Sequence, residues 1–361
     1  MKTLFIVHGI GKYTDWTDPS DLKPDATWFN GVKDTLTAAA KRYPSLTRYT
    51  PLSQQLRVEP IYYDHVFENV ILRWKQGAAD IREGMTGRTI SLVDDLLKAV
   101  DAFTDDNWSR THLSDLLMYA FVPHVRDAVV NCVGDQIYAF LSKNPAKARG
   151  DWSIIGHSMG TSVVHDAVHL LVNNTLEFTK DDTWAGTVMM VSNTSALLRD
   201  RREGVMSPYR SDVRPQLSAG MSACDYYINV NHVWDLVGMP DKFDPLDAWI
   251  DLQTRKERFI DITANDARLR DPHDLTHYLE NPEVHQPLFK ALFGEDILRK
   301  SELDAAAADY RAKSDLAAVE RVRKDLESMS LSKALNFQNN ADVEKILEAF
   351  DSFFKYMKTL P

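Results

Sequence analysis

The sequence predicts an α/β protein: a doubly wound, mostly parallel sheet carrying a large helical insertion and a helical C-terminal tail. Three observations predict it. Short apolar runs, rich in β-branched and aromatic residues, alternate with segments whose apolar residues recur at helical spacing. The first such run lies at 4–7, and the next, "LRVEPIYY" at 56–63, comes after an amphipathic stretch containing "TWFNGVKDTLTAAAKRY". That order of strand, helix, strand implies parallel pairing. Finally, 361 residues with 44% hydrophobic and 10% aromatic content suffice for a sizeable core.

The remaining elements follow along the chain. From 64 to 148 the pattern is helical, with "FENVILRWKQGAADI", "ISLVDDLLKAVDAF" and "LSDLLMYAFVPHVRDAVVNCVGDQIYAFL" as apolar-striped segments. This stretch is expected to be an insertion between two strands, dividing the core into 1–63 and 149–295. Next comes "DWSIIGHSMGTSVVHDAV", in which Trp152, Ile154 and Ile155 read as a buried strand. Val163, Val164, Ala167, Val168, Leu170 and Leu171 then recur as in a helix. Strand-like runs follow at 187–193 ("TVMMVSN"), 225–238 ("DYYINVNHVWDLVG") and 258–265 ("RFIDITAN"). The segment "DPHDLTHYLENPEVHQPLFKALFG" reads as a loop entering a helix. The extension 296–361 holds two amphipathic helices. One carries Leu303, Tyr310, Val319, Val322, Leu326 and Met329, and the other Ile346, Phe350, Phe353, Phe354 and Met357.

Composition excludes several classes. A formal charge of −10 disfavours a nucleic-acid-binding surface, which needs clustered Lys and Arg. The apolar run at the N-terminus is too short for a secretory signal, and no window reaches the roughly 18 apolar residues of a membrane span. Two cysteines, Cys132 and Cys224, give no disulfide framework and suit a reducing, cytoplasmic setting. Phosphate-binding and dinucleotide-binding glycine loops are missing, as is H-E-x-x-H. His165 and His169, four apart, could face a metal, but no Glu follows His165 and a packed or solvated face is the simpler reading. No cofactor or metal is implied.

The chemistry is concentrated at Ser158, set between Gly156 and Gly160 where the strand gives way to the helix. A serine on such a turn is thrust out of the sheet, and the backbone accepts the turn only beside residues with little side chain. In this respect, and in its opening strand followed by "HGIG", the sequence resembles the serine α/β-hydrolases, specifically the lipase-like group with Gly-His-Ser-Met-Gly at the nucleophile elbow. The resemblance covers residues 2–63 and 152–293. It implies cleavage of a carboxylic ester, with a small-molecule or acyl-lipid substrate, through an acyl-enzyme and without a cofactor. It also implies that the insertion 64–148 is a cap over the site. A scaffold that has kept the fold without the chemistry, or an acyltransferase using the same triad, are the competing readings.

A serine hydroxyl needs a base, and the base needs an orienting acid. In the chain order of this fold the acid follows the elbow and the histidine comes last. Asp235, after the strand run "YYINVN", meets the first requirement, with Asp241, Asp244 and Asp247 as rivals. His273, just after Asp271-Pro272 and ahead of the helical pattern, is the preferred base, and His277 is the alternate. His285 lies in an apolar helical stretch and reads as packed. The oxyanion donors are expected at Met159, after the nucleophile, and at Ile10 or Gly9 in "HGIG". His8 is given at most a positioning role, and His157 is assigned to supporting the turn.

Overall fold

A computed structural model describes residues 1–9, 26–84, 122–174, 183–195, 222–233, 249–265 and 272–313, together with 14–15, 23–24, 115, 118–119, 213–215, 217, 235 and 243. Its centre is one sheet of six strands: β1 (Lys2–Val7), β2 (Leu56–Ile61), β3 (Trp152–His157), β4 (Ala185–Val191), β5 (Cys224–His232) and β6 (Phe259–Ala264). The spatial order is β2-β1-β3-β4-β5-β6, and every neighbouring pair is parallel. The interior strands β3 and β4 are buried at every residue, which is why they read as unbroken apolar runs. The edge strand β2 is half-buried and carries Pro60, a residue without an N–H that an edge tolerates.

Handedness distributes the helices between the two faces. The path from β1 to β2 runs one way along the sheet, while β2 to β3 and every later step run the other way. Right-handed crossovers therefore place their helices on opposite faces. Accordingly α1 (Ala26–Ala40) buries Val32, Leu36 and Ala40 on one face. It shares that face with α6 (Leu275–Glu280) and α7 (Pro282–Phe293). The other face is covered by α3 (Pro123–Lys143), which follows α2 (Asp64–Gly84), and by α4 (Met159–Asn174). The short α5 (Leu252–Arg258), capped by Asp251, leads into β6, and α8 (Lys300–Ala312) closes the described chain.

The insertion expected over 64–148 needs correction. Helix α3 buries Val125, Val129, Val133, Ile137 and Leu141 in the same core as Phe5, Trp152, Ile154 and Val163. It is the layer helix of the crossover from β2 to β3, not part of a cap. Arg126 fastens it to α4 through Asp166 at 2.7 Å, on the same carboxylate oxygen that accepts from the Tyr119 hydroxyl. The segment "ISLVDDLLKAVDAF" lies outside the described residues. So do the tail positions from Val319 onward; the first tail helix is seen as α8, with Ala306 and Tyr310 buried.

The reversal of winding also creates a switch point between β1 and β3, where the crossovers leave in opposite directions. In open parallel sheets ligands bind in the crevice outside the carboxyl ends of the strands at such a point. The residues at those ends are His8 and Gly9 after β1 and Ser158 after β3.

Candidate active site

Ser158 joins β3 to α4 with a φ of 56°, a left-handed conformation that is unfavourable for a residue with a side chain. The surrounding hydrogen bonds impose it. The Ser158 N–H donates to the Val191 carbonyl at 3.0 Å. The Ser158 carbonyl accepts from the Thr161 N–H at 2.9 Å and from the hydroxyls of Thr161 and Thr194 at 2.7 and 2.9 Å. Close packing does the rest: a Cβ on Gly160 would overlap the His8 carbonyl, and one on Gly9 would stand 2.8 Å from the Ser158 Cβ. Backbone atoms in a buried sheet cannot yield as a flexible side chain could. Gly160→Ala is therefore expected to destabilise the fold by about 3 kcal/mol or more, read as a lower urea midpoint, because the overlap is with main chain.

Asp235 lies just beyond β5 and is fully buried. Its N–H donates to the His232 carbonyl at 3.0 Å, which fixes the turn that carries it. His273 lies beyond β6, in the two residues before α6. Asp274 caps that helix by accepting from the Thr276 N–H at 2.9 Å, so the helix starts at Leu275 and His273 stays in the turn. The His273 Nδ1–H points at the Asp235 carboxylate, 2.9 and 3.0 Å from its two oxygens. The Tyr278 hydroxyl donates to the same carboxylate at 2.6 Å. Burial alone would raise the Asp235 carboxyl, but the His273 charge and the hydrogen bonds from His273, Tyr278 and Ser192 outweigh it. The group is held well below the usual carboxylate range.

The other histidines separate by environment. His277, the alternate base, is buried on α6 with its ring against His232, 5.5 Å between centroids. The structure brings His273, not His277, to Asp235. His285 is packed, its Nδ1–H donating to the Leu279 carbonyl at 2.8 Å and its Nε2 accepting from the Tyr43 hydroxyl at 2.7 Å. Burial pushes its pKa down to about 3. His157 does more than support the elbow: its Nε2–H donates to the His273 carbonyl at 2.6 Å, and the two rings pack at 4.8 Å. Burial first, and the neighbouring His273 charge second, lower His157 to about 4, so it is neutral at pH 7. This contact ties the turn holding His273 to the residue before Ser158.

At the end of β1, the Gly9 carbonyl accepts from the His8 Nδ1–H at 2.7 Å and from the Tyr63 hydroxyl at 3.0 Å. The His8 and Tyr63 rings stack at 4.3 Å, and Asp64 lies 3.7 Å from the His8 Nε2. His8 thus holds the backbone at Gly9. Burial, offset in part by Asp64, lowers it to about 4. Met159 opens α4, so its N–H is one of the helix's first donors, which have no acceptor within the helix. Ile10 and the rival acids Asp241, Asp244 and Asp247 lie outside the described residues.

Three participants escaped the sequence reading: Ser192, Tyr278 and Tyr63. Ser192 closes an apolar run in the manner of any strand end, Tyr63 ends the strand run at 56–63, and Tyr278 lies in the segment that enters a helix after the last strand. Only position beyond a central strand could have drawn attention to Ser192. Among the described residues no helix is long and apolar enough to cross a membrane, and no group of three or more His, Cys, Asp or Glu could hold a metal. No protein family, curated protein or solved structure matches the chain, so the site is defined by its own geometry.

Proposed function

We propose that the protein is a serine hydrolase of the α/β-hydrolase type that cleaves a carboxylic ester, an acyl-lipid or a related compound, through an acyl-enzyme. One observation carries the reading: a strained serine at the switch point of a parallel sheet, with a hydrogen-bonded His273–Asp235 pair supplied from beyond the last two strands. The strand, turn and helix around Ser158 give the G-x-S-x-G string the context that its chemistry requires.

In this reading Asp235 holds the Nδ1–H of His273, which leaves the Nε2 lone pair to take the proton of Ser158. The serine oxygen attacks the ester carbonyl. The negative charge that develops on the carbonyl oxygen is stabilised by the Met159 N–H and by a second donor from the Gly9–Ile10 segment. The tetrahedral adduct collapses as His273 returns the proton to the leaving alcohol. Water then attacks the acyl-enzyme by the same steps in reverse, and the serine is restored. No cofactor enters. Two free cysteines, Cys132 and Cys224, suit the cytoplasm.

A fluorophosphonate probe tests the reading, since an activated serine displaces its fluoride and keeps the phosphonyl group. Intact mass and peptide mapping should show one adduct, on Ser158. Labelling of another serine would move the nucleophile away from Ser158, and no labelling of folded protein would overturn the proposal and leave an α/β-hydrolase scaffold. Labelling of Ser158 with acyl transfer to an added alcohol in preference to water would move the assignment to an acyltransferase.

A further inference from the structure

His157 ends β3, one residue before Ser158, and is buried there. Its Nε2–H donates to the His273 carbonyl at 2.6 Å, and the two rings lie 4.8 Å apart with their planes at 40°. Its Nδ1 lies against the end of β1, where a Cβ on Gly9 would stand 3.4 Å from it. That nitrogen has no hydrogen-bond partner among the described residues. Since the ring is neutral at pH 7 and its proton is on Nε2, Nδ1 is an acceptor left unused. A buried polar atom without a partner is unfavourable, and an apolar side chain would fill the same space without that penalty. What histidine supplies there in its place is the Nε2–H.

We propose that His157 is a positioning residue for the base: its Nε2–H holds the His273 main chain at a fixed distance from Ser158, so that the base Nε2 meets the serine hydroxyl. The inference rests on the ester-hydrolase reading of the site. Asp235 takes the His273 Nδ1–H, 2.9 and 3.0 Å from its two oxygens. A ring held at that point alone can swing about the bond and carry its Nε2 away from the serine. The bond from His157 fixes the main chain from which the ring departs, and it does so from the residue covalently joined to the nucleophile. Small displacements of a reacting group lower the rate steeply, so this second point of attachment acts on turnover and not on substrate binding.

Three variants of the full chain test this with p-nitrophenyl esters. His157→Gln loses the ring but keeps an N–H near the reach of Nε2, His157→Asn carries the same amide one bond short, and His157→Leu carries no donor. In the Asn and Leu variants kcat should fall about tenfold, the scale of one hydrogen bond, with KM unchanged. His157→Gln should keep kcat within about threefold of the wild type. Phosphonylation of Ser158 should slow by the same factors. A side chain that only packs would lower the melting temperature of all three and leave their kcat values alike. Equal kcat in folded His157→Gln and in a folded variant without the donor would therefore overturn the proposal. Should His157→Leu fail to fold, Asn against Gln makes the same comparison. If His157→Gln fails to fold, or both of the others do, the contact serves the fold and the proposal falls. A wild-type protein with neither turnover nor probe labelling would instead defeat the hydrolase reading beneath it.

Discussion

Ser158→Ala will abolish ester turnover, with an expected loss in kcat on the order of 10⁶-fold, and will leave the fold intact. The magnitude follows from the way a triad works: removing the nucleophile costs about as much as removing the whole unit, and only binding and oxyanion stabilisation remain. Stability should hardly change, because the bonds that enforce the elbow use the Ser158 N–H and carbonyl, which alanine retains. Alanine must still adopt the φ of 56°, so Ser158→Gly serves as the partner variant that relieves the strain. Both should lose turnover and phosphonylation together. Folded Ser158→Ala protein that still hydrolyses p-nitrophenyl esters would show that another residue is the nucleophile.

The second large effect separates two histidines only four residues apart. His273→Ala should cost kcat nearly as much as Ser158→Ala, since base and nucleophile act as one unit. Asp235→Asn should cost about 10⁴-fold, the magnitude given by the worked serine-protease triad for the same substitution, because an amide donor favours the wrong imidazole tautomer. His277→Ala should retain most turnover, as its ring packs from α6 onto His232 inside the core. Its cost should appear in the melting temperature, through the cavity left behind. Turnover of p-nitrophenyl esters by each variant, alongside circular dichroism, makes the check. A severe loss in His277→Ala with a mild one in His273→Ala would transfer the base to His277.

The positions of the strands and of the elbow were legible in the sequence because both depend on local pattern. The interior strands β3 and β4 are buried on both faces, so they show as continuous apolar runs. Ser158 is marked by its own neighbours: glycines within two residues on each side and a change of hydrophobic period across it. Asp235 could be read because the position of an acid beyond a strand is also a local feature.

What lay beyond the sequence depended on contacts between residues far apart in the chain. His273 and His277 sit in one short stretch, and the sequence preferred the first only by its place after Asp271-Pro272 and ahead of the helical pattern. They part because Asp274 starts α6 between them, leaving the first in the turn at Asp235 and burying the second against His232. Helix α3 has the apolar stripe of a cap helix or a layer helix alike. Its place was decided by the right-handed crossover from β2 to β3, which brings its buried face onto the sheet. Tyr278 meets Asp235 across 43 residues, and Ser192 meets His273 across 81. A local pattern records which face of an element is buried, whereas the partner on that face is chosen by the order and handedness of the strands, and those exist only once the sheet has formed.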